Sequence, residues 1–418
     1  MLVGNTISVG ILRTPGDVAA RLPSTTLFLG VWLLGGLYAL LGAVSMAESG
    51  AMVARSGGQY GIVHRALGPY PGFIVGWSDW LSTTASTALV AMVFAEYAIP
   101  LIPGFPGGQP AIACGLVLLF GVLQWRGARG GDAAQQILTA GKALAFGALI
   151  VAALVMTVPA PTAAATTMLP AGAALFGAVI IALQSVIFTY DGWTAPLYFG
   201  EEIADAGRSI PRSMAGGVLV VIAIYLLVNV AFIRVVGLNA MAGDPFVAAT
   251  MGGRLFGANG DLIIRLVVLV SLLSGLNSNV MMAPRVPLAM SRDGLMPHAF
   301  DTVNQGGTPV VAHWVSVGLA LGFILSGTFQ TVLALAAFFF VANYTLSFLS
   351  VFALRKKEPA TPRPFRVPGF PYTTGIVLLG SLAFLVGAVI TDRTNSVRSL
   401  VLLAASYPMY RVILKIRG

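Results

Sequence analysis

Charge is what this sequence has least of. Only 9% of its 418 residues are Asp, Glu, Lys or Arg, against about 25% in a soluble domain. So few charges cannot cover a water-exposed surface. Cysteine is nearly absent as well: Cys114 stands alone inside an apolar run, which excludes a disulfide framework. The three histidines, His64, His298 and His313, fall at or near expected loops and are read as solvated. With one cysteine they make no metal-ligand cluster, so no metal and no cofactor are expected. No histidine lies mid-span to serve a serine as base, which argues against a membrane enzyme. Long polar linkers are missing too. The longest, residues 49–71, 291–309 and 355–371, are too short for a soluble domain.

What is present is apolar. Residues of the hydrophobic types make up 57% of the chain, and the mean hydropathy is +0.87. Apolar stretches of about 20 residues recur along the whole length. The chain therefore reads as an all-α polytopic membrane protein of about 12 transmembrane helices. The spans are expected near residues 1–16, 25–48, 73–100, 109–126, 133–158, 172–200, 214–237, 261–286, 311–328, 330–354, 372–391 and 397–414. The first stretch has no basic leader and no small-residue cleavage site, so it is not read as a cleaved signal peptide.

The net charge of +9 marks loops here rather than a nucleic-acid partner. One set of loops holds Arg55, Arg65, Arg126, Arg129, Arg208, Arg212, Arg285, Arg292, the run at 355–357, Arg363 and Arg366, and the tail adds Arg411, Lys415 and Arg417. The opposite loops hold Arg13, Arg21, Arg254, Arg393 and Arg398, with Arg234 and Arg265 near span ends. The richer side is expected to be cytoplasmic. An even number of spans then places both termini inside a plasma or inner membrane.

Two spans carry chemistry that a simple span does not need. Span 1 contains GNTISVGILRTPG (4–16), with three glycines, a proline and small polar side chains. Span 6 contains VIFTYDGWTAPLYFGEE (186–202), interrupted by Asp191-Gly192 and then Pro196. Breaking a helix at mid-bilayer frees N–H and C=O groups that hydrocarbon cannot satisfy, so a break is tolerated only around a cavity. Paired breaks in corresponding segments point to a transporter built from inverted repeats. Free amides suit a carboxylate and free carbonyls an ammonium group, so a zwitterion such as an amino acid fits both. Asp191 is the acid inside span 6, and it suits a substrate ammonium, a proton, or the N-cap of the second half-helix. Thr189, Tyr190 and Thr194 are candidates to line the pocket. Lys142 lies ten residues past Asp132, about 15 Å along a helix. At that depth it reads as facing the bundle, with snorkelling as the alternative. Glu48 and the pair Glu201 and Glu202, with Arg208 and Arg212 nearby, read as gate or loop ion pairs.

The chain resembles the amino acid–polyamine–organocation superfamily and, within it, the L-type amino acid transporter group. The resemblance rests on six segments in order: VGNTISVGILRTP (3–15), AESGAMVARSGGQY (47–60), TAGK (139–142), FTYDGW (188–193) with the following EE and IPRSM (210–214), RVPLAMSRDGLMP (285–297), and RPFRVP (363–368). It implies a LeuT-type 5+5 inverted repeat with broken helices 1 and 6, plus two peripheral helices. The first repeat is expected over 1–158, the second over 170–355, and the peripheral helices and tail over 371–418. It implies alternating-access transport of amino acids, with neutral ones favoured because the pocket looks free of a second charge. The mode implied is sodium-independent exchange or uniport. A polyamine or amine antiporter on the same fold is the alternative.

The resemblance also assigns roles. Amides of the break at Ile7, Ser8, Val9, Gly10 and Ile11 hold the substrate carboxylate, and the carbonyl of Thr6 or Ile7 its amino group. Ser8 and Val9 depart from the group's Gly and Ser, and their Cβ atoms restrict the unwound backbone. Phe188 is the gating aromatic, and Ser86 and Asn277 face the pocket unless they serve bonding between helices. Lys142 bridges the first break to a neighbouring helix, doing by fixed charge what sodium does in ion-coupled relatives. The break comes within a few residues of Met1, which implies an upstream start or a short first half-helix and a looser gate. Residues 102–109 lack the cysteine through which animal members join a glycoprotein, so no such disulfide-linked partner is expected.

Overall fold

The computed structural model describes residues 6–126, 131–156 and 169–417, and within them all side chains but those at 131–140, 143, 202, 258 and 417. Residues 1–5 of the expected first span, Arg129, and the side chains of Asp132 and Glu202 fall outside that description. The described chain is helical, with a single isolated β-bridge between Val303 and Pro309.

In chain order the helices are α1 (Val9–Arg21), α2 (Thr25–Val53), α3 (Tyr60–Leu67), α4 (Pro69–Ala98), α5 (Gly108–Trp125), α6 (Gly131–Val155), α7 (Ala173–Tyr190), α8 (Ala195–Tyr198) and α9 (Ala206–Val235). After a single helical turn at Leu238–Met241 they continue as α10 (Val247–Phe256), α11 (Gly260–Met282), α12 (Arg285–Arg292), α13 (Val310–Ser326), α14 (Phe329–Lys357), α15 (Tyr372–Thr391), α16 (Arg393–Ala404) and α17 (Ser406–Arg417). Among the described residues nine stretches are long and apolar enough to cross a bilayer, and the shorter apolar helices Leu144–Val155 and Val310–Ser326 accompany them. With α1 they account for the expected spans. Helix is forced by the solvent, since lipid offers no partner to a backbone N–H or C=O.

Some boundaries differ from expectation. Span 7 begins eight residues early, at Ala206, because Pro211 is accommodated inside the helix. Span 12 is two helices, α16 and α17, meeting at Ala405. His313, expected in solvent, is buried in α13, where Nε2 meets the Gly121 carbonyl at 2.8 Å.

The two broken segments lie against each other, α1 on α7. Around them α2 packs on α9, and α4 on both α11 and α14, while α6 packs on α9 and α11. α14 is buried along most of its length, and α16 and α17 are mostly exposed. Exposed apolar side chains such as Leu34 of α2, Leu219 of α9 and Ile390 of α15 form the lipid-facing surface.

The expected ion pairs of Glu48 and Glu201 with Arg208 and Arg212 are not the ones formed. Glu48 is buried beneath the 355–371 loop. It accepts from Arg355 at 2.6 Å and 2.9 Å, from Arg363 at 3.1 Å and from the Val367 amide at 2.8 Å. Glu201 pairs loosely with Arg292 at 3.9 Å, and Arg208 is exposed. The bonds to Glu48 fix RPFRVP against the end of α2. Glu48→Ala leaves Arg363, 5% exposed, with backbone carbonyls but no carboxylate to balance its charge. A loss of about 3–5 kcal/mol is expected for breaking such a buried pair, read as a lower thermal unfolding midpoint in detergent.

Candidate functional site

The breaks form where the sequence puts them. Helix α1 starts only at Val9, after Ser8, whose φ of −140° and ψ of −136° are not helical. Helix α7 stops at Tyr190, the turn at 191–194 follows, and α8 runs for one turn. Gly192 has a φ of +110°, a conformation that penalises any side chain. The two breaks close on each other. The Thr14 hydroxyl donates to the Gly10 carbonyl at 2.8 Å and lies 2.9 Å from the Thr189 hydroxyl. The Tyr225 hydroxyl, from α9, reaches the Thr6 carbonyl at 2.6 Å and the Thr189 carbonyl at 3.0 Å. One phenol thus serves a freed carbonyl at each break.

Between the breaks is a cavity of about 40 Å³. Its lining includes Thr6, Ser8, Val9, Gly10, Ser86, Phe188, Thr189 and Asp191, all candidates from the sequence. It also includes Val90, Gly192 and Asn279, which were not among them. Ile7 and Ile11 are buried in the apolar core instead. Tyr190 points into an aromatic group with Trp32 and Tyr225, and Thr194 begins α8. Asn277 is bonded to Gln124 of α5. Asn279 is the asparagine on the cavity side, because two residues turn a helix by about 200°. The Ser8 hydroxyl is buried without a partner.

Asp191 accepts a hydrogen bond from the Tyr344 hydroxyl of α14. Thr194, at the head of α8, has no side-chain cap, so Asp191 does not act as the expected alternative of an N-cap. Lys142 is buried in α6, with 5% of its surface exposed, so it does not snorkel. It is not part of the cavity lining.

Both ends of the cavity are tied shut. At one end Phe188 meets Phe329 edge to face, with ring centres 6.5 Å apart. Arg13 lies over the Phe329 ring at 4.9 Å and bonds Glu96 at 2.9 Å and Asp17 at 3.1 Å. At the other end Tyr198 of α8 donates to Asp79 of α4 at 2.6 Å. The Gly58 amide holds the Leu197 carbonyl at 3.3 Å. Beyond lies Asp293, bonded by Arg55 at 3.0 Å and Tyr60 at 2.9 Å. Outside the spans, bonds from Arg65 to Glu358 at 2.7 Å and 3.0 Å hold that carboxyl below its ordinary range.

Tyr225 carries no signal in the sequence, where it is one aromatic in a long apolar run. Its role follows only from the packing of α9 over both breaks. Tyr225→Phe leaves a buried carbonyl unpaired, at about 1–3 kcal/mol. A fall in transport of roughly 5- to 150-fold is expected if that cost falls on the closed form, measured against protein incorporated in liposomes.

Comparison with known proteins gives the family. Residues 1–413 match the family described as amino acid permease. The serine/threonine exchanger SteT of Bacillus subtilis is 29% identical, over 98% of this chain and 94% of that protein. The b(0,+)-type amino acid transporter 1 of Mus musculus is 26% identical over 94% of this chain and 81% of its own length. The Asc-type amino acid transporter 1 of the same species is 28% identical over 88% and 71%.

Proposed function

We propose that this chain, which belongs to the amino acid permease family and is an amino acid transporter in the membrane rather than an enzyme, carries small neutral amino acids by alternating access about the cavity between its two breaks. The observation that carries this reading is the meeting of both breaks on one cavity, with Asp191 on its wall. Amides freed after Ser8 hold the substrate carboxylate, and Asp191 takes its ammonium. A cavity of about 40 Å³ has room for about three waters, which favours a short side chain. Ser8, Ser86, Thr189 and Asn279 give it polar partners. The names of the relatives, a serine/threonine exchanger among them, support the same class.

Packing supports a division into two repeats, 1–158 and 170–355, with 371–418 outside. If spans 1–5 are exchanged with spans 6–10, α4 on α14 becomes α11 on α6, and α2 on α14 becomes α9 on α6. All four pairings occur. The arginine-rich loops support a cytoplasmic side for both termini. Cys114 is half-buried within α5, which supports transport without a disulfide-linked partner. Lys142 steadies the first break from the neighbouring helix.

Counterflow in sodium-free proteoliposomes tests the reading. Labelled L-serine is followed into vesicles loaded with each common amino acid, or with putrescine or agmatine. Uptake driven by small neutral amino acids, and lost in Lys142→Ala, is expected. Uptake driven by the amines alone would make the protein an amine antiporter.

A further inference from the structure

Asp79 is a buried acid that the transport reading leaves unused. It sits inside α4 with 1% of its surface exposed. Oδ1 accepts from the Tyr198 hydroxyl at 2.6 Å, and Oδ2 has no hydrogen-bond partner. None of the ion pairs among the described residues includes it. Among the described residues no cation acts on it, and Arg285 of α12 lies instead over the Phe199 ring at 4.0 Å. The Gln59 amide approaches the carboxyl, and the charge that faces it is Asp191, of like sign. On α14, Tyr344 is bonded to Asp191, and Asn343 to Ser78. On α3, Tyr60 and His64 turn to Asp293, which also holds Arg55. On α13, His313 is held by Gly121. At the far end of α4, Glu96 holds Arg13.

An ionised carboxylate in such a place costs several kcal/mol, and a neutral carboxyl avoids most of that. We propose that Asp79 is a proton-binding site, loaded while α8 packs on α4 and emptied when α8 moves away. The proposal rests on the transport reading, in which the half-helix after the second break moves as its end of the cavity opens. Tyr198 lies on α8, so the motion that admits water also breaks the 2.6 Å bond. A proton bound more tightly in the closed form makes acid hold this end shut. The closed form is favoured at low pH, and that advantage is lost as pH rises through the closed-form pKa. Substrate enters the same balance. An ammonium on Asp191 cancels the like charge that opposes ionisation of Asp79. Binding at the cavity therefore loosens the proton and primes this end to open.

Two measurements test this on the purified full chain. In infrared difference spectra, adding L-serine removes intensity from the stretch of a protonated carboxyl, and the feature is missing in Asp79→Asn. In counterflow at equal pH on both faces, wild-type exchange falls on acidification by up to about tenfold per pH unit, the ceiling for one proton. The limb is flat in Asp79→Asn and returns in Asp79→Glu. If Asp79→Asn fails to fold, Tyr198→Phe is used instead, with a shifted midpoint expected. A carboxyl band unchanged in Asp79→Asn, an identical acid limb in that variant, or an unmoved midpoint in Tyr198→Phe overturns the proposal. Wild-type protein that shows the Asp79 band but no counterflow at any pH sinks the transport reading and leaves the proton site standing.

Discussion

Gly10→Ala is expected to lower exchange by on the order of 100-fold while the protein still folds. A Cβ at position 10 would stand 2.5 Å from the Thr189 Cα and 2.5 Å from its hydroxyl. The hydroxyl can rotate away, but the Cα belongs to the last turn of α7 and cannot. The added carbon therefore pushes α1 off α7 where the two breaks touch. That shift stretches the 2.9 Å contact between Thr14 and Thr189. It also takes the Thr6 and Thr189 carbonyls out of joint reach of Tyr225. A misplacement of about 1 Å at a working site can cost 100-fold, while overpacking costs stability only about 1–3 kcal/mol. The rate is read by counterflow per incorporated protein, and stability by thermal unfolding in detergent. Gly30→Ala in α2, where nothing lies within 4 Å of the added Cβ, is the matched control and is expected to leave both unchanged. Wild-type exchange in Gly10→Ala would mean that the breaks do not close on each other during transport.

Where the sequence was legible, the reason is physical. Breaks announce themselves because glycine, proline and an acid inside an apolar run have no cheap alternative role. Gly10 and Asp191 were found that way, and both line the cavity. Ser86 was assigned to the pocket by the resemblance alone, and it lies on the cavity wall. Asn277 and Asn279 show the limit of that reasoning. Both are polar residues in span 8, and only rotation about the helix axis decides which one bonds α5 and which one faces the cavity. Partners across the bundle were less legible still. Glu48 meets Arg355 and Arg363 more than 300 residues away, rather than the arginines that follow Glu201 in sequence. Tyr198, Tyr225 and Tyr344 each take their meaning from a carboxyl or carbonyl on another helix, and no local pattern marks them among the chain's 11 tyrosines. Asp79 carried no assignment from the sequence, since a span expected from residue 73 puts it near an end, and its depth became clear only when α4 was found to begin at Pro69.

Asp191→Asn is expected to raise the KM for neutral amino acids roughly 10- to 150-fold, the equivalent of the about 1.5–3 kcal/mol assigned to a charge-assisted hydrogen bond. The substitution keeps the shape of the side chain and an oxygen for the Tyr344 hydroxyl to reach. It leaves Gly192 in its left-handed conformation, so the break itself is retained. What disappears is the negative charge on the cavity wall, and with it the attraction for an ammonium group. A role confined to bonding Tyr344 would leave KM where it is, because asparagine also accepts. The measurement is initial-rate exchange of labelled L-serine in proteoliposomes as its concentration is raised, in wild type and variant. Two competitors divide the site between its halves. Ethanolamine keeps the ammonium and lacks the carboxylate, so its weak inhibition of wild type is expected to vanish in the variant. Serine methyl ester keeps the ammonium but presents a neutral carbonyl to the amides after Ser8, and it too is expected to compete poorly. If ethanolamine instead competes as well as serine in wild type, the amides after Ser8 are not reading a carboxylate. Asp191 would then be the whole of the recognition, and the cavity would belong to an amine carrier.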